Sequence, residues 1–301
     1  MALKQLRRIG ASAGQSLHDE LSHQALGYAW SRTEIDRIEQ EHPELIVPHE
    51  GNVLAALVDN AALAYAFRSD GQFIEHFEAM FEELLPRIRR SLGADSVRFR
   101  LTHYPSRPKV EPVLRRLWFA AGKPWLGFSL SKKTALPKLA PLKGIKFRDG
   151  GVDDVPELIR LDRQAFPDTP IPTPVMRHRL ETVERVLIAE SGGSMVGYAT
   201  YLQADPGEGY LHTLVVDEAQ RGRGIGAALT VKVAKRLFAG GADRMDLKTD
   251  EDNTAAIRLY MKLGFKQNTA GCDYSRPTDQ RAITRLKKTS EGTVIRFGGW
   301  R

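Results

Sequence analysis

The sequence predicts an α/β protein built from two fused domains, and three observations carry that expectation. Its 301 residues are about twice the ~150 that serve as a prior for one domain. Segments with the two-residue alternation of strands interleave with segments of helical period. The two halves also echo one another, as an internal repeat would.

Composition narrows the class. An apolar fraction of 42% and a charged fraction of 27% are those of a globular chain able to bury a core. A single cysteine, Cys272, excludes an intrachain disulfide and a cysteine-rich metal site, and it fits a reducing, cytoplasmic setting. Lys4, Arg7 and Arg8 are followed by small and charged residues rather than the apolar run of a signal peptide, so export is not expected. The longest apolar stretch, Asn52 to Phe67, is interrupted by Asp59 and Asn60 and is too short for a membrane span. No membrane partner is expected.

The formal charge of +7 suits a polyanionic partner. Much of the excess lies late in the chain, at Arg276, Arg281, Arg285, Lys287, Lys288, Arg296 and Arg301. That run reads as a solvated basic tail over 277–301 rather than as a nucleic-acid site.

Pro137, Pro141 and several lysines between Lys132 and Lys143 mark a linker, which divides the chain into residues 1–140 and 144–276. After it, Ile145 to Arg148 reads as a strand and Asp154 to Phe166 as an amphipathic helix. Arg185–Glu190 and Met195–Leu202, joined by Ser191-Gly192-Gly193-Ser194, read as a hairpin. Gly209–Val216 is a further strand and Gly224–Phe238 a helix closed by Gly240-Gly241. Arg244–Lys248, a helix over Asn253–Leu263, and a closing hairpin over Phe265–Tyr274 complete the half. In the first half, Gly93-Ala94-Asp95 and the strand after it parallel Gly241-Ala242-Asp243 and its strand, while Val113–Gly122 parallels the helix that ends at Gly264.

The chemistry concentrates in Gln220-Arg221-Gly222-Arg223-Gly224-Ile225-Gly226-Ala227, set between an apolar strand and a helix. The first N–H groups of a helix have no internal partners and carry the positive end of its dipole, so this turn is an anion site fit for a pyrophosphate. Glycine at 222, 224 and 226 clears side chains from the phosphates and opens turn conformations. No Gly-Lys-Ser/Thr follows, and the spacing does not suit a dinucleotide-binding fingerprint.

Val216 to Leu229 resembles the acetyl-CoA signature of the GNAT superfamily of N-acetyltransferases. Asn253 to Phe265 resembles that family's N-x-x-A-x-x-L-Y-x-K-x-G-F helix. The resemblance covers 144–276 and implies a GNAT fold, a twisted and mostly antiparallel sheet flanked by helices, with acetyl-CoA as cosubstrate. It further implies that amides of Arg221, Gly222, Arg223, Gly224, Ile225, Gly226 and Ala227 hold the pyrophosphate. Backbone groups of Leu214, Val215 and Val216 would pair with pantetheine, Asn253 would help hold that arm, and Tyr260 would protonate the leaving thiolate.

A protonated amine cannot attack a thioester until it loses a proton, so a base is required. Glu208, Tyr210 and His212 share one face of the strand before the glycine turn. His212 is the first choice of base and Glu208 the second, while a histidine held in the core by a hydrogen bond is the alternative reading of His212. Cys272 lies outside the motif, and direct transfer without an acyl-enzyme is implied.

Aligned on Gly93, the first half places Ile74, His76 and Glu78 where Gly222, Gly224 and Gly226 stand, and Trp118 at the tyrosine position. It is therefore expected to be a degenerate GNAT-like half that does not bind CoA, in a layout that resembles mycothiol synthase and other tandem GNAT proteins. His18, His23, His42 and His49 lack metal-ligand spacing, so no metal is expected. The leading expectation is acetyl transfer to a small-molecule amine; a protein or peptide acetyltransferase and a non-catalytic acetyl-CoA sensor are the alternatives. Pro167, Pro170, Pro172 and Pro174 suggest a fixed loop over the acceptor site. Acceptor identity and oligomeric state are not encoded in any motif.

Overall fold

The alternation of strands and helices is met in the computed structural model, which describes residues 26–28, 32–58, 61–167, 169–205, 207–279, 281 and 283. Seven helices and twelve strands follow one another among the described residues. None of those helices is long and apolar enough to cross a membrane. The chain forms two compact units, one of Met1–Pro124 with Ala270–Phe297 and the other of Trp125–Thr269 with Gly298–Arg301.

In the first unit β1 (Leu26–Tyr28), α1 (Arg32–Glu41), β2 (Ile46–His49), β3 (Asn52–Ala56) and β4 (Leu63–Phe67) come first. They are followed by α2 (Asp70–Leu92), β5 (Ser96–Leu101) and α3 (Arg107–Arg116). The apolar stretch from Asn52 to Phe67 forms two antiparallel strands, every residue of both being buried. Phe73, Phe77 and Phe81 recur at helical spacing on α2 and carry its buried face. They meet Phe67, Phe99 and Phe119 in ring contacts, each pair adding about 0.5–1.5 kcal/mol beyond area burial. Ser69 caps α2 by accepting a hydrogen bond from the Gln72 amide at 3.2 Å.

The second unit contains β7 (Ile145–Gly150), α4 (Val155–Ala165), α5 (Thr173–Thr182), β8 (Arg185–Ser191), β9 (Ser194–Asp205) and β10 (Glu208–Val216). Then come α6 (Ile225–Ala239), β11 (Arg244–Asp250) and α7 (Thr254–Lys262). Strands β7 to β10 form an antiparallel meander, and β10 meets β11 in parallel after the α6 crossover. Leu211, Leu229, Val233, Leu237, Leu247 and Tyr260 fill a core with α6 and α7, whereas Val155, Leu158, Met176, Ile188, Tyr198 and Val215 fill a second core with α4 and α5.

The last strand of each half of the sequence completes the sheet of the other. Residues Trp125–Ser131 of β6 (Ala120–Ser131) pair antiparallel with β11, and Cys272–Pro277 of β12 (Lys266–Pro277) pair antiparallel with β5. This exchange explains why the units are discontinuous in sequence. It also places the division at Pro124/Trp125 and Thr269/Ala270, rather than in the proline-bearing segment 132–143 that the composition suggested.

Three local expectations are corrected. Phe265–Tyr274 is not a hairpin, because Lys266–Pro277 continues as one strand. Thr173–Thr182 is a helix begun by Pro172 and Pro174, which suit a first turn that needs no N–H donors, so the prolines do not all belong to a fixed loop. Arg276 is not in a solvated tail: it is buried in β12 with its guanidinium 5.0 Å from the centre of the Phe81 ring. Arg285, Lys287, Lys288, Arg296 and Arg301 lie outside the described residues, as do His18 and His23.

The repeat is visible, with a changed alignment at its end. Helix α3 stops at Leu117, and Trp118 takes a left-handed φ of 66° before Phe119; helix α7 stops at Leu263, and Gly264 takes a φ of 93° before Phe265. Trp118 therefore corresponds to Gly264, and Leu114, fully buried, corresponds to Tyr260. Ile74, His76 and Glu78 lie within α2, which starts directly after β4 through Arg68 and Ser69. The first half has a helix where the second has a glycine turn.

Candidate active site

Strand β10 organises the site by parting from its parallel neighbour. It pairs with β11 only over Glu208–Tyr210, while its other edge stays paired with β9 as far as Val216. Leu211 to Val216 thus present an edge without a strand partner on the β11 side among the described residues. Extended amide groups can add to such an edge as another strand would. A register irregularity between Leu211 and Thr213 falls at His212. It bends the strand and re-aims side chains around it.

Beyond that irregularity Leu214 and Val216 turn towards α6, where a Cβ at Gly226 would lie 3.9 and 3.6 Å from their side chains. Gly222 and Gly224 have φ values of 78° and 84°, a region that other residues enter only with strain. Gly226 has no such requirement, so the expectation that all three glycines are needed for turn conformation holds for two of them. The turn delivers the chain into α6 with the amides of Ile225, Gly226 and Ala227 in its first turn, where helical N–H groups have no internal acceptor. Arg221 and Arg223 are exposed beside it, Arg221 bonding the Val216 carbonyl at 3.3 Å and Arg223 the Lys143 carbonyl at 3.4 Å.

His212 is not a lone histidine. Its Nδ1 lies 2.5 Å from Oε1 of Glu184, the residue just before β8, and the Glu184 side chain is only 3% exposed. A carboxylate can only accept, so Nδ1 is the donor of this bond, and in the neutral imidazole Nε2 holds the lone pair. Burial pushes the Glu184 carboxyl up, but the His212 hydrogen bond and charge, together with the Arg179 charge, outweigh it and hold it below the ordinary carboxylate value. Nη1 of Arg179, from α5, lies 3.3 and 3.5 Å from the two ring nitrogens of His212. Sequence reasoning missed both Glu184 and Arg179, since neither belongs to a periodic pattern or to the two matched blocks.

Tyr260 projects from α7 into the core lined by Phe128 and Phe265, with ring centroids 6.1 and 5.6 Å away. It is 6% exposed, and burial, with a smaller contribution from Tyr210, pushes its phenol well above the ordinary tyrosine value. It stays a proton donor at neutral pH. Tyr210 lies between the two sides, its ring 6.2 Å from that of His212.

The other sequence-predicted residues have structural partners. Glu208 accepts a hydrogen bond from Arg244 at 2.7 Å at the closed end of β10, away from the free edge. Asn253 caps α7, its Oδ1 accepting from the Ala256 amide at 3.1 Å, a bond worth about 1 kcal/mol. Its side-chain amide donors are not used in that cap.

Residues 155–265 match the model of the acetyltransferase (GNAT) family. Over 135 residues the chain is 30% identical to L-methionine sulfoximine/L-methionine sulfone acetyltransferase of Pseudomonas aeruginosa, covering 40% of this chain and 78% of that protein. The chain belongs to the GNAT acetyltransferase family. It is also 26% identical over 228 residues to mycothiol acetyltransferase of Saccharopolyspora erythraea, covering 72% of this chain and 75% of that one. Matches to other mycothiol acetyltransferases at 36–38% identity span only 29–32% of those proteins. Among solved structures, a tandem GNAT protein from the clavulanic acid biosynthesis pathway superposes with a TM-score of 0.54 at 14% identity, covering 78% of this chain and 82% of that one. This GNAT chain therefore has the fold of a tandem pair, and the glycine turn, the open edge of β10 and Tyr260 all lie in the half that the family model matches.

Proposed function

We propose that this GNAT protein transfers an acetyl group directly from acetyl-CoA to the amine of a small molecule. The observation that carries the reading is the placement of two proton-handling groups around the free edge of β10. His212, bonded to Glu184, lies on β10 at the start of that edge, and Tyr260 of α7 belongs to the buried cluster that Leu214 and Val216 pack against. The similarity to a mycothiol acetyltransferase and to an L-methionine sulfoximine/L-methionine sulfone acetyltransferase favours a small acceptor over a polypeptide.

Acetyl-CoA supplies an activated thioester, and the residues present fit its parts. Amides from Arg221 to Ala227 face the pyrophosphate, with the Arg221 and Arg223 cations beside them. Backbone groups of Leu214 to Val216 pair with the pantetheine amides, and Asn253 offers its side-chain amide to the same arm. Nε2 of His212 accepts a proton from the acceptor ammonium, and Arg179 is the group that the amine displaces from that nitrogen. The amine lone pair then forms the C–N bond, the C–S bond breaks, and the Tyr260 hydroxyl gives its proton to the departing sulfur. His212 passes the first nitrogen proton to solvent, and the second, lost as the amide forms, restores the Tyr260 hydroxyl, so each turnover releases one proton. Backbone N–H groups near Val215 and Val216 are placed to meet charge developing on the carbonyl oxygen.

The test is to follow free thiol release from acetyl-CoA with a panel of small thiol-free primary amines, methionine sulfone and aminosugars among them, against a lysine-rich peptide set. Turnover confined to small amines supports the reading. Turnover confined to peptides, or acetyl-CoA binding with no turnover on any amine, sinks it.

A further inference from the structure

The first unit holds a cluster that the acetyl-transfer reading does not use. His49 ends β2, Glu50 follows in the turn to β3, and His76 lies in the second turn of α2. His76 is 8% exposed, and its Nε2 is buried without a hydrogen-bond partner. That nitrogen is aimed at the other two residues: Oε2 of Glu50 is 3.5 Å from it, and the His49 ring centroid is 4.8 Å from the His76 centroid. One ligand atom from each of the three lies within 4.8 Å of every other. Along the chain, His42 and His49 lie around Pro43 and Pro48 with no cysteine or second ligand pair nearby, which is why spacing alone led to the expectation of no metal; the fold brings His76 to His49.

We propose that His49, Glu50 and His76 form a binding site for a divalent transition-metal ion, zinc by its ligand chemistry. Two imidazoles and one carboxylate are a recurrent donor set for zinc with a further position left to water. Metal–ligand distances of about 2.0–2.2 Å would draw the donor atoms to within roughly 3.5 Å of one another. Rotation of His49 and Glu50, both exposed, supplies that closure while α2 holds His76 in place. Glu75, whose Oε2 is 3.7 Å from the same nitrogen, stands beside the site as a further carboxylate. The bound ion would satisfy the buried Nε2, neutralise Glu50 and pin the β2–β3 turn to α2.

The competing occupant is a proton, which on Nε2 would simply pair His76 with Glu50. Titration separates the two. Chelator-treated full-length protein is titrated with zinc chloride by calorimetry, and in parallel with cobalt chloride by visible absorbance. One zinc per chain, with the cobalt bands of a four-coordinate N/O site, is the expected result, and excess zinc raises the melting temperature. His49→Ala and Glu50→Ala, both at exposed positions, each weaken zinc binding by about tenfold or more. They also abolish the cobalt bands without changing the far-ultraviolet circular dichroism of the metal-free protein. Absence of saturable zinc binding overturns the proposal. So does zinc binding of unchanged affinity in both variants, which would assign the ion to other donors.

Discussion

His212 on β10 and Glu184 before β8 share a 2.5 Å hydrogen bond across a strand irregularity, with the Arg179 guanidinium against the same ring. The bond fixes the tautomer and leaves Nε2 as the acceptor. Replacement of His212 by Ala should lower kcat by about 10²- to 10⁴-fold, the range of a lost general base, while acetyl-CoA affinity measured calorimetrically stays within a few-fold. Glu184→Gln should cost less, about 10- to 100-fold, because the imidazole remains but its orientation and charge balance are lost. A Glu184→Gln variant as active as the wild type would reduce the pair to a packing feature.

The same carboxylate makes a second, independent prediction about stability. Its folded-state value is held below the unfolded one, so the paired anion stabilises the fold at pH values above the unfolded carboxyl pKa of about 4.3. That contribution is lost as the pH falls through the lower, folded value, because the unfolded chain binds the proton first. Urea denaturation at pH 7 and at stepwise lower pH should show Glu184→Gln to be less stable than wild type near neutrality, with the difference shrinking towards pH 3. A difference that grows on acidification would mean that the carboxyl is neutral in the fold.

Tyr260 separates an enzyme from a protein that only binds acetyl-CoA. Tyr260→Phe keeps the ring in contact with Phe128 and Phe265 and removes only the hydroxyl. Turnover should fall by about 10²-fold or more while the KM for acetyl-CoA moves little, since proton donation to sulfur matters in the transition state and not in binding. Burial raises the phenol, so wild-type activity should show no alkaline loss attributable to Tyr260 ionisation up to pH 10. Unchanged turnover in the phenylalanine variant would leave the thiolate to be protonated by water.

The glycine turn gives a contrast between neighbouring positions. Gly224 sits at a φ of 84°, where an alanine would carry about 1–2 kcal/mol of strain or pull the turn out of shape. Gly226 is helical, and a Cβ there would meet Leu259 at 3.5 Å, an ordinary contact. Gly224→Ala should therefore weaken acetyl-CoA binding and lower the melting temperature. Gly226→Ala should leave the melting temperature within about a degree or raise it slightly, because alanine is the better helix former. Calorimetric titration with acetyl-CoA then reports whether the first helical turn also needs a bare backbone at 226, with weakened binding in a stable Gly226→Ala protein as the expected sign of phosphate approach. Acetyl-CoA binding unchanged in both variants would remove the turn from the binding site.

What could be read in the sequence follows from what each feature depends on. The strand before the glycine turn, helix α6 and helix α7 are set by local pattern, so their positions were legible to within a residue or two. The family's two blocks are also contiguous, which is why Arg221–Ala227 and Tyr260 could be proposed as site residues from the sequence. Glu184 and Arg179 could not, because they reach His212 only after three strands have formed a sheet. The exchange of β6 and β12 was hidden for the same reason: nothing in a strand's own sequence says which edge it will join. The proline-bearing segment at 132–143 imitated a boundary, whereas the actual division cuts through two strands that have no local mark of it. Trp118 was misaligned because the residue needed at that left-handed position is normally glycine, and a tryptophan with a φ of 66° gives no sequence signal of its conformation.

Cys272 tests the exchanged strand directly. It lies in β12, paired with Leu101 of β5, and is fully buried. Burial pushes its thiol up to about 11, despite the opposing charge of Arg107, so the native protein should hold almost no reactive thiolate at pH 8. An aromatic disulfide reagent should then label the folded chain orders of magnitude more slowly than the unfolded chain in guanidinium. The labelling rate in increasing sub-denaturing urea should follow the unfolding of the first unit, because β12 supplies the edge partner of β5 there. Substitution of Cys272 by Ser would place a hydroxyl in that buried strand and should lower the melting temperature, whereas Cys272→Ala should do so less, since it leaves no polar group to satisfy. Rapid labelling of the native protein would show that β12 leaves β5 readily and that the exchanged pairing is not a stable part of the fold.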